Sequence, residues 1–304
     1  MNNLNENKHS TNQVNSLSFG GGRGEAIKET VREKYAAIAE QPKEQNQASC
    51  CGATSACCGE VSNLMADDYA AIEGYNPEAD LGLGCGLPTE FAKISQGDTV
   101  IDLGSGAGND CFIARRLTGE NGRIIGIDFT EQMISRAREN AEKLQLKNVE
   151  FRLGDIESLP VSGGIADVVV SNCVLNLVPD KPKVFSEIFR VLKDRGHFSI
   201  SDIVLEGALP GRWKEIAELY AGCVSGAIQK TEYLELIEKA GFKNIIVQKD
   251  KPINIPDDIL LNYLSVEEME AYKNSGTKIS SITVYAEKPG KENKNCCLPG
   301  SSCC

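Results

Sequence analysis

Apolar and polar positions follow two different periods in the part of the chain that begins at residue 98. Short apolar segments typical of buried strands alternate with stretches whose apolar residues recur at helical spacing. This alternation predicts a mainly parallel, doubly wound α/β sheet. The predicted strands are residues 99–103, 123–127, 149–153, 166–171, 197–201, 244–248 and 281–286, and the predicted helices are residues 24–40, 130–145, 182–193 and 232–240.

A glycine-rich loop follows the first predicted strand and opens a helix. Residues 102–108 read Asp-Leu-Gly-Ser-Gly-Ala-Gly, and glycines allow a sharp turn and close approach to a ligand. As a dinucleotide fingerprint the loop is imperfect, because Asn109 stands where the third glycine belongs. It is a complete D-x-G-x-G-x-G loop of the class I methyltransferases, which favours S-adenosylmethionine over NAD. The loop residues expected to bind this cofactor are Asp102, Gly104, Ser105, Gly106 and Gly108.

Polar residues end the second, third and fourth predicted strands, at the edge where open α/β sheets bind ligands. Asp128 follows the loop by about 20 residues, the usual position of an acidic residue that binds ribose hydroxyls. Asp155 stands where methyltransferases carry an acidic residue near the adenine. Taken alone, each carboxylate is more simply interpreted as a residue of the turn that follows a strand. Because both are expected at the same edge of the sheet as the glycine loop, cofactor binding is favoured. The further predicted cofactor residues are Asp128, Phe129, Met133, Asp155, Ile156 and Asn172.

The chain contains twelve cysteines, of which eight form adjacent pairs. In a reducing compartment they are thiols, so metal binding or chemistry is favoured over disulfides. Soft thiolates select thiophilic ions, and zinc sites usually show close cysteine pairs. Three single cysteines, Cys85, Cys173 and Cys223, are expected near the ligand edge of the sheet. For any one of them alone, a small buried hydrophobic side chain is the simpler interpretation.

The surroundings of these three cysteines are specific. The segments are residues 84–86 (Gly-Cys-Gly), 172–177 (Asn-Cys-Val-Leu-Asn-Leu) and 222–227 (Gly-Cys-Val-Ser-Gly-Ala). Around a methyltransferase core they resemble the arsenite methyltransferases, over most of the chain from about residue 60 to 287. The resemblance implies that Cys173 and Cys223 are the principal ligands of trivalent arsenic. It also implies that Cys85 is a third ligand or a disulfide partner, in a protein of arsenic detoxification.

The family often has a further cysteine upstream, for which Cys57 and Cys58 have the best spacing, and the choice between them is open. Cys111 also matches the family, with a structural role favoured. The cluster 50–58 and the tail 296–304 contain cysteine pairs at the same spacing. Neighbouring cysteines do not easily join each other. The tail is therefore either a capture site for the metalloid or a dispensable thiol-rich end.

The implied chemistry needs little acid or base catalysis. Thiolates enrich the arsenic lone pair, which is the nucleophile, so positioning supplies most of the catalysis. The two histidines agree with this: His9 lies in a polar head and His197 is expected to be structural. Methylation oxidises arsenic, and a cysteine pair closing to a disulfide could return the two electrons, with recycling by cellular thiols or thioredoxin.

Charge and hydropathy exclude several classes of partner. The formal net charge of −11 disfavours nucleic acid, and no apolar run approaches the ~20 residues of a membrane helix. The first residues show no signal peptide, so a cytoplasmic monomer is the simplest expectation. Two alternatives stay open: a methyltransferase for a small organic molecule, which predicts an acid or base that is not evident, and a metalloid-binding protein that is not an enzyme.

The expected architecture is a doubly wound, seven-stranded, Rossmann-like methyltransferase sheet with a small α+β C-terminal addition. Residues 1–60 are predicted to be a flexible region with a helix and a Cys-rich loop, and 61–208 the S-adenosylmethionine-binding domain. Residues 209–287 are predicted to contain a substrate-binding insertion and the last part of the sheet. Residues 288–304 are predicted to be a flexible Cys-rich tail.

Overall fold

A computed structural model describes residues 22–41, 69, 72–208, 226–254, 257, 261 and 264–291. The helices are α1 (Gly22–Ala39), α2 (Pro88–Phe91), α3 (Asn109–Thr118), α4 (Glu131–Lys143), α5 (Lys181–Val191), α6 (Lys230–Lys239) and α7 (Val266–Asn274). The strands are β1 (Thr99–Leu103), β2 (Arg123–Asp128), β3 (Val149–Leu153), β4 (Ala166–Asn172), β5 (Leu192–Glu206), β6 (Lys243–Pro252) and β7 (Lys278–Glu287). Cys57, Cys58, Cys223 and the cysteine-rich tail lie outside the described residues.

The described strands form one seven-stranded sheet in the order β3-β2-β1-β4-β5-β7-β6. The first five strands pair in parallel, and β7 runs antiparallel between β5 and β6. The strand order reverses between β1 and β4, and such a switch point is where open α/β sheets bind ligands. The predicted seven-stranded Rossmann-like methyltransferase fold is confirmed.

Alternate residues of the central strands enter different hydrophobic cores, as the period of two requires. On β1, Val100 packs with α3 and α4 on one face of the sheet, and Ile101 packs with α5 and α6 on the other. Both side chains are fully buried. The second core is rich in aromatic rings, where Phe185 meets the Tyr233 ring edge-on at 5.6 Å between centroids. The helices packed on both faces of the sheet fix the positions of the strand ends at its ligand-binding edge.

Most differences from the predicted elements arise from long-range pairing. Strand β5 extends well beyond the predicted 197–201, because it pairs with β7 from His197 to Glu206. Helix α7 went unpredicted although Ser265 and Glu268 form a capping box at its start. The predicted domain divisions at residues 60, 208 and 287 stay predictions. Within the described ranges, no helix combines the length and apolar character needed to cross a membrane.

Candidate active site

The glycine loop, residues 102–108, turns back on itself at the carboxyl end of β1. Gly104 has φ of 69°, and a Cβ there would lie 2.4 Å from Val174 Cγ2, so no other residue fits without rearrangement. Its N–H and that of Ser105 donate to the Ile127 carbonyl, at 2.8 and 3.0 Å. A Cβ on Gly106, by contrast, would meet no atom within 4 Å. The loop therefore presents bare backbone to open space, as close approach of a ligand requires.

The open space belongs to a cleft with about 1070 Å³ of empty volume, its open mouth included. All the predicted cofactor residues except Gly108 line it: Asp102, Gly104, Ser105, Gly106, Asp128, Phe129, Met133, Asp155, Ile156 and Asn172. The Ser105 hydroxyl is buried, and no described atom hydrogen-bonds to it, which leaves it available to a ligand. Gly108 instead stands at the N-cap of α3, behind the cleft lining.

Asp128 holds the glycine loop in shape. Its carboxylate accepts hydrogen bonds from the Gly106 N–H at 3.0 Å and the Thr130 N–H at 2.9 Å. Burial raises the pKa of Asp128, and the hydrogen bonds from these two backbone groups oppose part of the rise. Each carboxylate oxygen can accept a second hydrogen bond, so the predicted contact with ribose hydroxyls fits this geometry.

Asp102 and Asp110 form an acidic pair in the lining of the cleft. Burial, and then the charge of Asp110, raise the pKa of Asp102 well above its usual range. Burial raises the pKa of Asp110 to about 6, although hydrogen bonds from Asn172 and Tyr69 act in the opposite direction. Cys111 donates its thiol hydrogen to Asp102 at 3.2 Å and is fully buried. Its contact supports the structural role that was expected for it.

Asn172, predicted as a cofactor residue, makes its hydrogen bonds to other segments of the protein. Its Oδ1 accepts from the N–H groups of Cys85 at 3.0 Å and Gly86 at 3.3 Å. Its Nδ2 donates to the Gly86 carbonyl at 2.8 Å, to the Asp110 carboxylate at 3.3 Å and to the Tyr69 hydroxyl. The side chain thus joins the Cys85 loop to the start of α3, a role that sequence reasoning missed.

Cys173 follows Asn172 and lines the same cleft as the glycine loop. Its φ is 62°, a left-handed conformation that costs a non-glycine residue roughly 1–2 kcal/mol. The other described non-glycine residues with positive φ, namely Lys93, Gln145, Arg195 and Asn244, are all exposed, whereas Cys173 is buried. Strain at a buried residue facing a cleft is typical of functional positions.

Cys85 is fully buried and packs in one apolar cluster with Cys173, Leu177 and Ile203. It does not line the cleft itself. Cys223 lies outside the described residues, but Ala227, four positions later, is buried in this same cluster. No group of three or more His, Cys, Asp or Glu side chains suited to a metal ion occurs among the described residues.

Several cleft residues had no signal in the sequence that identified them. Lys28, Val31 and Tyr35 of α1 lie along the cleft, together with Tyr69 and Asp80. The apolar face of α1 was recognisable from its spacing, but not the surface that it covers. His197 Nε2 donates to the Ala92 carbonyl at 2.6 Å, which supports the structural role expected for it.

Comparison with known proteins adds independent findings. A family model described as a methyltransferase domain matches residues 94–241. The arsenite methyltransferase of Halobacterium salinarum is 38% identical over 88% of this chain and 68% of its own length. That of Aquipseudomonas alcaligenes is 35% identical over 69% of this chain and 62% of its own length, so the chain spans about two thirds of these relatives.

A solved structure of an arsenic methyltransferase is also similar to this chain. The crystal structure of an arsenic(III) S-adenosylmethionine methyltransferase from Chlamydomonas reinhardtii is similar with a TM-score of 0.59 and 31% identity, over 69% of each chain. The match to the Halobacterium protein covers most of both sequences. Together with the cleft and its glycine loop, these similarities show that the chain belongs to the arsenite methyltransferase family and is an S-adenosylmethionine-dependent enzyme.

Proposed function

We propose that this chain methylates trivalent arsenic, held by the thiolates of Cys173 and Cys223, at the cleft beside the glycine loop. The observation that carries the proposal is the position of Cys173: a strained, buried thiol lines the cleft that the glycine loop also lines. Sulfur ligands suit a soft, thiophilic ion. A methyltransferase for a carbon or oxygen acceptor would have no use for this thiol.

The donor side of the proposed site is polar and acidic. S-adenosylmethionine, when bound, supplies a methyl group on a positively charged sulfur. The backbone of Gly104 and Gly106 and the carboxylate of Asp128 are our candidates for contacts with this donor, with Asp155 toward its adenine. An ionised carboxylate in the cleft lining, such as that of Asp128, favours a cation in the cleft.

The acceptor side needs thiolates and a fixed geometry. Thiolate ligands raise the electron density on arsenic, whose lone pair attacks, so no residue must remove a proton from the acceptor. Holding donor and acceptor in line then supplies most of the rate. Asn172 supports this arrangement, because it ties the Cys85 loop to the strand end that carries Cys173.

Cys223 is the second proposed ligand, and chain connectivity is compatible with that role. Lys181 Nζ donates to the Gly226 carbonyl at 3.0 Å, which fixes the chain three residues after Cys223. An extended chain covers at most about 3.6 Å per residue, so the chain between the Cα atoms of Cys223 and Gly226 spans no more than about 11 Å. Ala227, four positions after Cys223, packs in the cluster of Cys85 and Cys173, which supports the choice of Cys223 as the second ligand.

Repeated turnover requires a reductant. When the lone pair becomes an As–C bond, arsenic is formally oxidised to the pentavalent state. Two thiols can return it to the trivalent state by losing two electrons and two protons and joining in a disulfide. Cys85 is our candidate for one of them, and an external thiol or thioredoxin would reduce the disulfide. With Cys85→Ser, the first methylation should proceed while multiple turnover falls, and unchanged turnover would exclude Cys85 from this step.

The direct test is arsenic speciation after incubation of the pure protein with arsenite, S-adenosylmethionine and a thiol reductant. Wild type should produce methylated arsenic, and Cys173→Ser and Cys223→Ser should each lose it by about 100-fold or more, as expected for a group that acts on the reacting atoms. Binding of S-adenosylmethionine by both variants serves as the folding control. Donor binding without arsenic methylation by wild type would overturn the proposed acceptor.

A further inference from the structure

Lys28 is the only Lys or Arg among the described residues that line the cleft. It projects from α1, and its Nζ donates to Asp155 Oδ2 at 2.7 Å and to Glu157 Oε2 at 2.6 Å. Its side chain is 18% exposed and that of Glu157 only 8%. Water screens the pair with Glu157 less than it screens an exposed surface ion pair, whereas Asp155 is 41% exposed.

The partners of Lys28 are themselves fixed. Glu157 Oε1 accepts the N–H of Asp180 at 3.1 Å, and Asp180 is the residue whose side chain caps α5. Asp155 Oδ1 accepts the Glu157 N–H at 2.8 Å. Two anions are thus positioned by the loop after β3 and by the start of α5, and Lys28 bridges them. Loss of the cation would leave the buried Glu157 without its counter-charge, which is costly.

This bridge holds α1 against the cleft. Val31, one turn after Lys28, is buried and lines the cleft with Tyr35. The other end of the helix is fastened separately, because Arg136 Nη1 donates to the Ala39 carbonyl at 2.7 Å. Helix α1 therefore lies along the cleft, held by its apolar face and by polar contacts, among which Lys28 is the one beside Asp155.

We propose that Lys28 is a positioning residue for the methyl donor, which closes the end of the cleft at Asp155 and orients that carboxylate; the proposal rests on the donor site described above. Each Asp155 oxygen uses one acceptor position for Lys28 or for the Glu157 N–H and keeps another. With Lys28 in place, two hydrogen bonds fix the orientation of the Asp155 carboxylate. The acceptor positions that its oxygens keep for a ligand therefore point in fixed directions. Lys28 acts through Asp155 and α1 and does not touch the reacting atoms.

The test compares Lys28→Met and Lys28→Arg with Lys239→Met, which removes a Lys of the same kind from an exposed pair with Glu235 on α6. Dissociation constants for S-adenosylmethionine and S-adenosylhomocysteine are measured by calorimetry, together with kcat and the KM for the donor. Lys28→Met should weaken both ligands by about 10-fold, because Asp155 loses the hydrogen bond that orients its carboxylate. Lys28→Arg should stay within about 3-fold of wild type, and Lys239→Met should not differ from it.

A merely structural role makes different predictions. It lowers the melting temperature of Lys28→Met but leaves the donor KM of the folded enzyme unchanged, and that result overturns the proposal. A positioning role raises the donor KM while kcat at saturating donor is retained. In a Glu157→Gln background the effect of Lys28→Met should shrink, because one of the two charges that Lys28 balances is absent. An equal effect in both backgrounds also contradicts the proposal. If wild type itself fails to bind the donor, the proposed function fails instead.

Discussion

The two halves of the active site are built on opposite principles. The donor half combines glycine backbone and carboxylates with apolar residues such as Met133, and directed hydrogen bonds, such as that of Gly106 with Asp128, hold its loop. The acceptor half surrounds Cys85 and Cys173 with apolar side chains such as Leu177 and Ile203. Polar contacts can recognise a charged nucleoside by geometry, whereas an apolar setting leaves thiols as the main groups able to bind a soft ion. Selectivity for donor and acceptor can therefore be changed separately.

In the donor half, the addition of a single methyl group should have the largest effect on ligand binding. In Gly104→Ala the new Cβ meets Val174 at 2.4 Å and the residue must keep a φ of 69°. We expect donor affinity to fall by about 100-fold or more, since a strained backbone costs about 1–3 kcal/mol before the steric clash is added. Calorimetry with S-adenosylmethionine measures this.

The matched comparison is Cys173→Ser, which changes the acceptor half alone. That variant should bind the donor as wild type does and fail to retain arsenite in equilibrium dialysis. Arsenite retention by Gly104→Ala should fall less than donor binding does, although the new Cβ meets Val174, the neighbour of Cys173. Loss of both ligands by both variants would show that the two halves are one cooperative unit and cannot be changed separately.

Asn172 is the residue that connects the halves, so its loss should affect both. Asn172→Ala leaves the N–H groups of Cys85 and Gly86 without this acceptor, and each unsatisfied buried group costs about 1–3 kcal/mol. We expect the methylation rate to fall by about 10- to 100-fold, with weaker retention of arsenite as well as of the donor.

Asn140→Ala is the control for Asn172→Ala, because it also removes a buried amide. Asn140 Nδ2 donates to the Ala107 carbonyl of the glycine loop at 3.1 Å, and it has no hydrogen bond to the Cys85 loop. Its replacement should weaken only the donor. A loss of arsenite retention in Asn140→Ala would indicate that the amide of Asn172 has no special role.

The smallest expected effect concerns charge in the donor half. Burial raises the pKa of Asp110 to about 6, so this cleft carboxyl is neutral at pH 5 and ionised above pH 7. The positively charged S-adenosylmethionine should therefore gain affinity as pH rises through about 6, relative to the uncharged sulfur of S-adenosylhomocysteine. We expect the ratio of the two affinities to change by roughly 3- to 10-fold.

The ratio cancels the pH effects on the parts that the two ligands share, and comparison of wild type with Asp110→Asn separates Asp110 from the other charged residues that line the cleft, which are Lys28, Asp80, Asp102, Asp128 and Asp155. In Asp110→Asn the ratio should be nearly independent of pH between 5 and 7.5. Asparagine keeps an acceptor for the hydrogen bonds from Tyr69 and Asn172, so the variant tests charge rather than packing. A ratio that stays flat in wild type contradicts the assignment to Asp110.

The amino-acid sequence alone determined the class of sheet, the glycine loop and the identity of the single cysteines. Strands β1 and β3 have the predicted bounds, and the ends of the first four strands line the cleft as expected. These features could be predicted because the period of two in a strand and the turn at a glycine depend only on residues that are close in the sequence. A cysteine is read from the sequence directly. The resemblance to arsenite methyltransferases then narrowed the expected reaction to the methylation of trivalent arsenic.

Tertiary structure alone decided how the two halves are joined and closed. Asn172 holds a loop 87 residues away, and Lys28 of α1 bridges to Asp155 across 127 residues. An asparagine at a strand end and a lysine on an amphipathic helix have no local pattern that identifies such partners. Only the packing of α1 and of residues 84–86 against the switch point of the sheet sets these distances. Short hydrogen bonds between distant segments depend on that packing, and no periodicity along the chain encodes it.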